Sequence, residues 1–324
     1  MKKEFELWTK EDDKILIDCH NQSKTLIDTN ICLPKRTLNS ISYRKNLLKL
    51  KPHYTEKNED FFASANVINS SVAGFLAADG YIAKKIAEIK IGLSIKDIEI
   101  LQQIKDITNS TAPIRTRHIK YKTKVNGQIG YKTSEICELI FNGANKWKND
   151  LFNNWNIISG PKSLTLEPPI HLNDLNHQLA YINGLISGDG AIFLSSYKGR
   201  RMKQYSQRFS INLVGTEKIL VWCRNIIQSV YPMDLDYIYK HGNIFKLAIT
   251  GINAIKVFDI LNRIDCIKLK RKWLNQEILS YITDTKLKFP HLFKTFEYNA
   301  ELNNQLKSKE LPQITNNSHS ISPS

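Results

Sequence analysis

Two stretches of this 324-residue chain end alike, in Ala77-Ala78-Asp79-Gly80 and in Ser187-Gly188-Asp189-Gly190. An isolated Asp-Gly after apolar residues is usually a helix stop followed by a turn. Here two of them stand 110 residues apart, and each follows a glycine, two large apolar residues and two small ones. If the segments carrying them pack together, Asp79 and Asp189 meet at one end of the pair. Two carboxylates a few ångström apart repel and do not stay paired without a cation. A hard divalent ion with oxygen ligands resolves the conflict. Mg²⁺, its shell completed by water and phosphate, suits the site, and other divalent metals share that chemistry.

Helices must position these aspartates. Gly74 and Ala78, like Gly184 and Gly188, are four residues apart and lie on one helix face, where small side chains let two backbones approach closely. Gly80 and Gly190 suit a left-handed cap that turns the chain into a strand. The repeat continues downstream. Ile91-Gly92-Leu93 answers to Ile211-Asn212-Leu213 at an offset of 120, and Leu139-Ile140-Phe141-Asn142-Gly143 to Leu247-Ala248-Ile249-Thr250-Gly251 at 108, so the second copy carries ten extra residues within 195–205. Two copies of helix, hairpin, helix, hairpin, helix predict a pseudo-twofold α+β protein.

The charge fits a polyanionic partner. Lys and Arg number 46 against 31 Asp and Glu, a net charge of +15, and neutralising phosphates releases counterions. No apolar run is long enough to span a membrane and the start lacks a signal-peptide core, which predicts a cytoplasmic protein without a membrane partner. The five cysteines are widely spaced, which argues against a disulfide framework or a Cys-based zinc site.

VAGFLAADG (72–80) and INGLISGDG (182–190) resemble the paired signature motifs of the LAGLIDADG homing endonucleases, and the resemblance runs over about residues 67–300. It implies an αββαββα unit repeated within one chain, whose two sheets form a saddle over duplex DNA with a long target site. It further implies a single-chain monomer encoded by a mobile element of bacteria or phage, with an organelle as the other setting. Asp79 and Asp189 then bind the metal, joined by the main-chain carbonyls of Ala78 and Gly188. Ala77 and Ser187 replace the motif's earlier acidic position. The reaction implied is metal-dependent hydrolysis of one phosphodiester on each strand, in which the ion activates a water and neutralises phosphate charge. The repeat nominates Lys162 and Lys270, matched at the offset of 108, as lysines beside the scissile phosphates.

Strands facing a DNA groove should carry its contacts on alternate residues. The acid-free stretch 114–124 offers Arg115, Arg117, Lys120, Lys122 and Lys124. Its counterpart, 197–208, offers Lys198, Arg200, Arg201, Lys203, Gln204 and Arg208. Arg and Gln suit guanine and adenine edges, and Lys suits phosphate.

Residues 1–57 read as a separate three-helix domain: Thr9 caps a helix with acids in its first turn, a second helix lies around 23–29, and a third starts near Thr37. Trp8-Thr9 with Glu11-Asp12, and Arg36-Thr37 opening the last helix, resemble a Myb-like helix-turn-helix. That resemblance implies a helix inserted into a groove, with Arg36, Asn39, Ser40, Arg44 and Lys45 as contacts. The expected order is completed by a linker at 58–66, repeats at 67–168 and 169–300, and a flexible tail at 301–324. Two other uses of the scaffold are an RNA-binding intron maturase and a non-cleaving DNA-binding regulator. Retention of both aspartates favours the nuclease.

Overall fold

The computed structural model describes residues 7–22, 24, 26–50, 56–125, 128–197, 206–231 and 238–293. The tail at 301–324, and Lys198, Arg200, Arg201, Lys203 and Gln204 of the second ribbon, lie outside the described residues. Among the described residues no helix is long and apolar enough to cross a membrane. The five cysteines are free thiols.

The N-terminal part forms three helices, α1 (Lys10–Asn21), α2 (Leu26–Cys32) and α3 (Leu38–Leu47). Thr9 and Asp12 cap α1 reciprocally, each side chain accepting from the other's backbone N–H, and Thr37 caps α3 by accepting from Ser40 N. Leu16, Leu33 and Ile41 form a small core with Trp8, Ile15, Leu48 and Leu50 packed on it, while Leu47 faces solvent. The cationic side of α3 is tied inward. Arg36 donates to Leu7 O at 2.7 Å and to Asp12 Oδ2 at 2.6 Å. Arg44 grips both carboxylate oxygens of Asp13 at 2.7 and 2.5 Å. Both guanidiniums lie against the Trp8 ring, whose Nε1 donates to Ser40 Oγ at 3.1 Å. Arg36, Ser40 and Arg44 therefore hold the bundle together, contrary to their expected place on a groove face. Asn39 is exposed and Lys45 half-buried.

The stretch 58–66 packs as part of the body. Phe62 is fully buried, edge-on to Trp147 and Trp155 at 5.1 and 5.6 Å. Trp147 Nε1 donates to Asn58 O at 2.9 Å, and Lys57 Nζ donates to Asn142 O at 3.2 Å. Two adjacent phenylalanines in NEDFFASAN are the reason, since their burial is worth more than a solvated linker.

Two matched units follow. The first is α4 (Val67–Asp79), β1 (Gly80–Ile82), β2 (Glu88–Ser94), α5 (Ile98–Ile107), β3 (Ile114–Val125), β4 (Gln128–Asn142) and α6 (Asn145–Trp155). The second is α7 (Leu175–Gly188), β5 (Ala191–Tyr197), β6 (Ser206–Gly215), α8 (Glu217–Val230), β7 (Ile238–His241), β8 (Ile244–Thr250) and α9 (Gly251–Arg263), with α10 (Lys270–Trp273) and α11 (Gln276–Lys288) after it. Each unit builds a four-stranded sheet, ordered β1-β2-β4-β3 and β5-β6-β8-β7, with every pairing antiparallel. This is the expected pseudo-twofold α+β architecture. The strand register corrects one offset. Ile82 pairs with Ile89 and Ile192 with Ile211, so β2 maps onto β6 at 122 residues, not 120, and the second hairpin is twelve residues longer, not ten. Cys137, Leu139 and Phe141 alternate into the core on β4, as Phe209, Ile211 and Leu213 do on β6. The amphipathic α5 and α8 cover these faces with Ile100, Leu101, Ile104, Ile219, Leu220 and Ile227. Both units share one continuous core, centred on α4 and α7.

Candidate active site

Helices α4 and α7 touch backbone to backbone. A Cβ built at Gly74 would fall 2.0 Å from Tyr181 O, and one at Gly184 would fall 2.1 Å from Ser71 O. Only residues without side chains fit there, as the four-residue spacing of small residues predicted. The approach continues to the helix ends, where a Cβ at Gly188 would lie 2.4 Å from Ala78 Cβ and 3.3 Å from Asp79 Oδ2. Asp79 therefore sits over the last turn of α7, and Asp189 caps that same helix.

The glycines after the aspartates play a different part from the expected left-handed cap. Gly80 has φ −77° and ψ 149°, and positive φ among the described glycines is confined to Gly143, Gly160, Gly242 and Gly251. What Gly80 and Gly190 supply is room. A Cβ at Gly80 would fall 2.6 Å from Leu76 O, and one at Gly190 2.6 Å from Ile186 Cα.

Each aspartate keeps one side open to solvent while the helix pair desolvates the rest. Desolvation raises the Asp79 carboxyl to about 6, with the charge of Asp189 as a further contribution. Desolvation also raises Asp189, and the nearby cations Lys272 and Lys162 oppose the shift. Two crowded, partly desolvated acids facing a solvent opening are an arrangement that a cation stabilises.

Two buried lysines flank the carboxylates. Lys162 Nζ donates to Gly80 O. Lys272 Nζ donates to Gly190 O at 2.6 Å, and to Ile186 O, Ser187 O and Gly188 O at 3.0, 2.7 and 2.7 Å. Burial lowers both ammonium groups, Lys272 to about 8, and the two aspartates pull in the other direction. Lys162 and Lys272 are 110 residues apart, the offset of the motif itself. Lys270, chosen at the offset of 108, is instead surface-exposed and paired with Glu99 at 2.7 Å. The offset of 108 belongs to β4 and β8. The chain between β8 and the lysine is two residues longer than its counterpart after β4, so the counterpart of Lys162 is Lys272. Ser187, at one of the motif's lost acidic positions, anchors the lysine segment by accepting from Trp273 Nε1 at 3.0 Å and Leu269 N at 3.4 Å. Arg271 reaches across to Asp97 of the first unit at 2.8 Å.

The donors fit a hard divalent ion. Asp79 and Asp189 offer carboxylate oxygens through the solvent opening, and the carbonyls of Ala78 and Gly188 border them. Gly188 O also accepts from Lys272. Among the described residues no cluster of three or more His, Cys, Asp or Glu side chains forms a site of its own. A metal held here would therefore complete its shell with water and phosphate, as Mg²⁺ does.

The sheets' open faces, opposite the helices, lie on alternate residues. Arg115 faces Glu138 and Arg117 faces Ile136 across the β3–β4 ladder, which places both on the open face. Lys120 and Lys122 have the parity of Thr116 and Cys137 and lie on the other face, where Lys120 Nζ sits 4.8 Å from the Tyr131 ring centroid. The five cations of 114–124 thus do not form one contact row, because an alternating strand divides them. The side chain of Lys124 lies outside those described. In the second sheet Arg208, Asn212, Lys246 and Tyr239 share the open face. Sequence reasoning missed Lys272, Glu138 and Lys246. The motif's own offset of 110 would have found Lys272, and the two others become visible only through register.

No protein-family model matches this chain, and no curated protein matches it. Among solved structures it is similar to the LAGLIDADG homing endonuclease I-SmaMI bound to cleaved DNA (12% identity, 76% of this chain and 99% of that one, TM-score 0.47). The same protein bound to an uncleaved DNA target in the presence of calcium ions gives the same values. The LAGLIDADG meganuclease I-AabMI bound to uncleaved DNA is similar at 12% identity, over 69% of this chain and 92% of that one, with a TM-score of 0.43.

Proposed function

We propose that this chain is a site-specific DNA endonuclease of the LAGLIDADG type, hydrolysing one phosphodiester on each strand of a long duplex target with a divalent metal. The carrying observation is the doubled site: two aspartates meet at the end of one close-packed helix pair, and each unit contributes a buried lysine bonded to the carbonyl that follows its own aspartate. Two strands need two equivalent sets of groups, and one chain supplies both, so a monomer suffices. Asp79 and Asp189, with the carbonyls of Ala78 and Gly188, would hold the ion. When bound, a divalent ion lowers the pKa of a water ligand and neutralises charge on the phosphate. Lys162 and Lys272, held by carbonyls rather than by carboxylate pairs, place two fixed positive charges beside the carboxylates, where they stabilise charge growing on the scissile phosphates. The open faces of the two sheets, with Arg115, Arg117, Arg208 and Lys246, are the DNA-contact surface. The N-terminal bundle gives a second foothold on flanking DNA. Incubating the protein with a randomised duplex library and Mg²⁺, and sequencing the cut ends, tests this reading. A single recurring site cut on both strands, abolished by Asp79→Asn, is expected. Intact DNA at every metal concentration overturns it.

A further inference from the structure

The open face of the first sheet carries an acid where a surface built only to grip phosphate would carry a cation. Glu138 lies near the centre of that face, directly across from Arg115 on β3 and Gly92 on β2. Its side chain is 11% exposed, against 56% for Arg117 above it. The two make a fork: Arg117 Nε donates to Glu138 Oε2 at 2.8 Å and Nη2 to Oε1 at 3.0 Å. Lys90 approaches Oε1 from the neighbouring strand at 3.4 Å. Gly92 leaves the space beside the carboxylate free of any side chain. The hydrogen bonds from Arg117, with the Lys90 and Arg117 charges beside them and against the opposing effect of burial, hold the Glu138 carboxyl below the usual range, so the group is anionic at neutral pH. In the second unit the register-equivalent position, one residue before Leu247 as Glu138 is one before Leu139, is Lys246.

We propose that Glu138 is a specificity-determining positioning residue, which fixes the exposed guanidinium of Arg117 in one pose so that it reads a guanine edge in the major groove. This rests on the DNA-binding reading above. A guanidinium has five donors in a rigid fork. With two N–H groups committed to Glu138, Arg117 keeps its outer donors for the O6 and N7 acceptors of guanine, the common arginine contact. Anchoring removes the ordering cost that a free arginine carries on binding. The buried anion beneath also disfavours a phosphate at that spot, which biases Arg117 towards a base. The matching position in the other half, with Lys246, has no such bias and suits phosphate. The two halves of the target are therefore read unequally.

The test selects bound duplexes from a randomised library with wild type, Glu138→Gln and Arg117→Ala. The wild type should prefer guanine at one position in the half-site under the first sheet. Both variants should lose that preference by about tenfold at that same position and keep the others. Glu138→Gln should bind random DNA as tightly as wild type or more so, because an anion has left the surface. Arg117→Ala, at an exposed position, reads the same contact without touching the core. If Arg117→Ala keeps every preference, or the two variants lose different positions, the proposal is overturned. A wild type that selects no sequence overturns the site-specific reading beneath it instead.

Discussion

Lys162 and Lys272 each donate to the carbonyl of the glycine that follows their own unit's aspartate, Gly80 and Gly190. The twofold relation of the motifs thus extends to the side chains around them, although the connectors that bring the two lysines in differ in length. Removing either ammonium should lower cleavage by about 10²-fold, the usual cost of one charge-stabilising donor. Binding should hold within a few fold, because the sheets carry affinity. Lys270→Ala, which removes only a surface ion pair, should cut like wild type. Single-turnover cleavage and equilibrium binding on one cognate duplex decide between the two lysines.

Asp79→Asn should stabilise the metal-free fold at neutral pH. A carboxyl raised from its ordinary value of 3.8 to about 6 costs nothing well below 3.8, where it is protonated in both states. Its cost grows as pH climbs from the ordinary value to the folded one, and is constant above that. Discounted for its open side, the penalty at pH 7.5 is ~1 kcal/mol. Thermal unfolding without metal should therefore show the variant melting higher than wild type at pH 7.5, with the gap closing as pH falls towards 3. Mg²⁺ should raise the wild-type midpoint and leave the variant's nearly unmoved.

Gly74→Ala should cost ~3 kcal/mol or more, because its Cβ meets a backbone carbonyl that cannot move without separating the helices. Gly242→Ala should cost less. Its Cβ meets nothing within 4 Å, and only its φ of +62° penalises a side chain. Urea denaturation of both variants ranks them, and equal destabilisation would mean that the helix pair tolerates a wider separation.

How much of this was legible beforehand depended on the kind of pattern. The helix-packing glycines Gly74, Gly184 and Gly188, the repeated order of elements and the Thr9 cap are local or periodic, and the structure places them as expected. What failed was pairing across distance. Lys270 was chosen with the offset of the strands, and a two-residue difference between β8 and the lysine moves the chemistry to Lys272. Lys120 and Arg117 look equivalent in an acid-free run, yet alternation sends them to opposite faces. Arg36 and Arg44 read as groove contacts because Asp12 and Asp13, their partners, sit two dozen residues or more away in sequence.

The boundary of the N-terminal module offers the last prediction. Residues 51–57 looked like the end of one domain and 58–66 like a tether. Instead, Glu56 N donates to Thr111 Oγ1 at 2.9 Å, Lys57 reaches Asn142 O, and Phe62 fills a hole between Trp147 and Trp155. Deleting residues 1–55 removes the three helices and leaves these contacts, so the remainder should fold and cut with Mg²⁺. It should bind more weakly, and its affinity should fall less steeply as salt rises, since fewer phosphate contacts release counterions. Deleting residues 1–66 also removes Phe62 and the Asn66 cap of α4, whose side chain accepts from Asn69 N at 2.9 Å. An emptied aromatic site costs ~3–5 kcal/mol and a lost cap ~1 kcal/mol, enough to abolish most of a typical domain's stability. Circular dichroism melts of the two truncations separate the outcomes. Equal midpoints would mean that the stretch 56–66 is a tether after all, while an unfolded 56–324 fragment would make the three-helix module part of the fold.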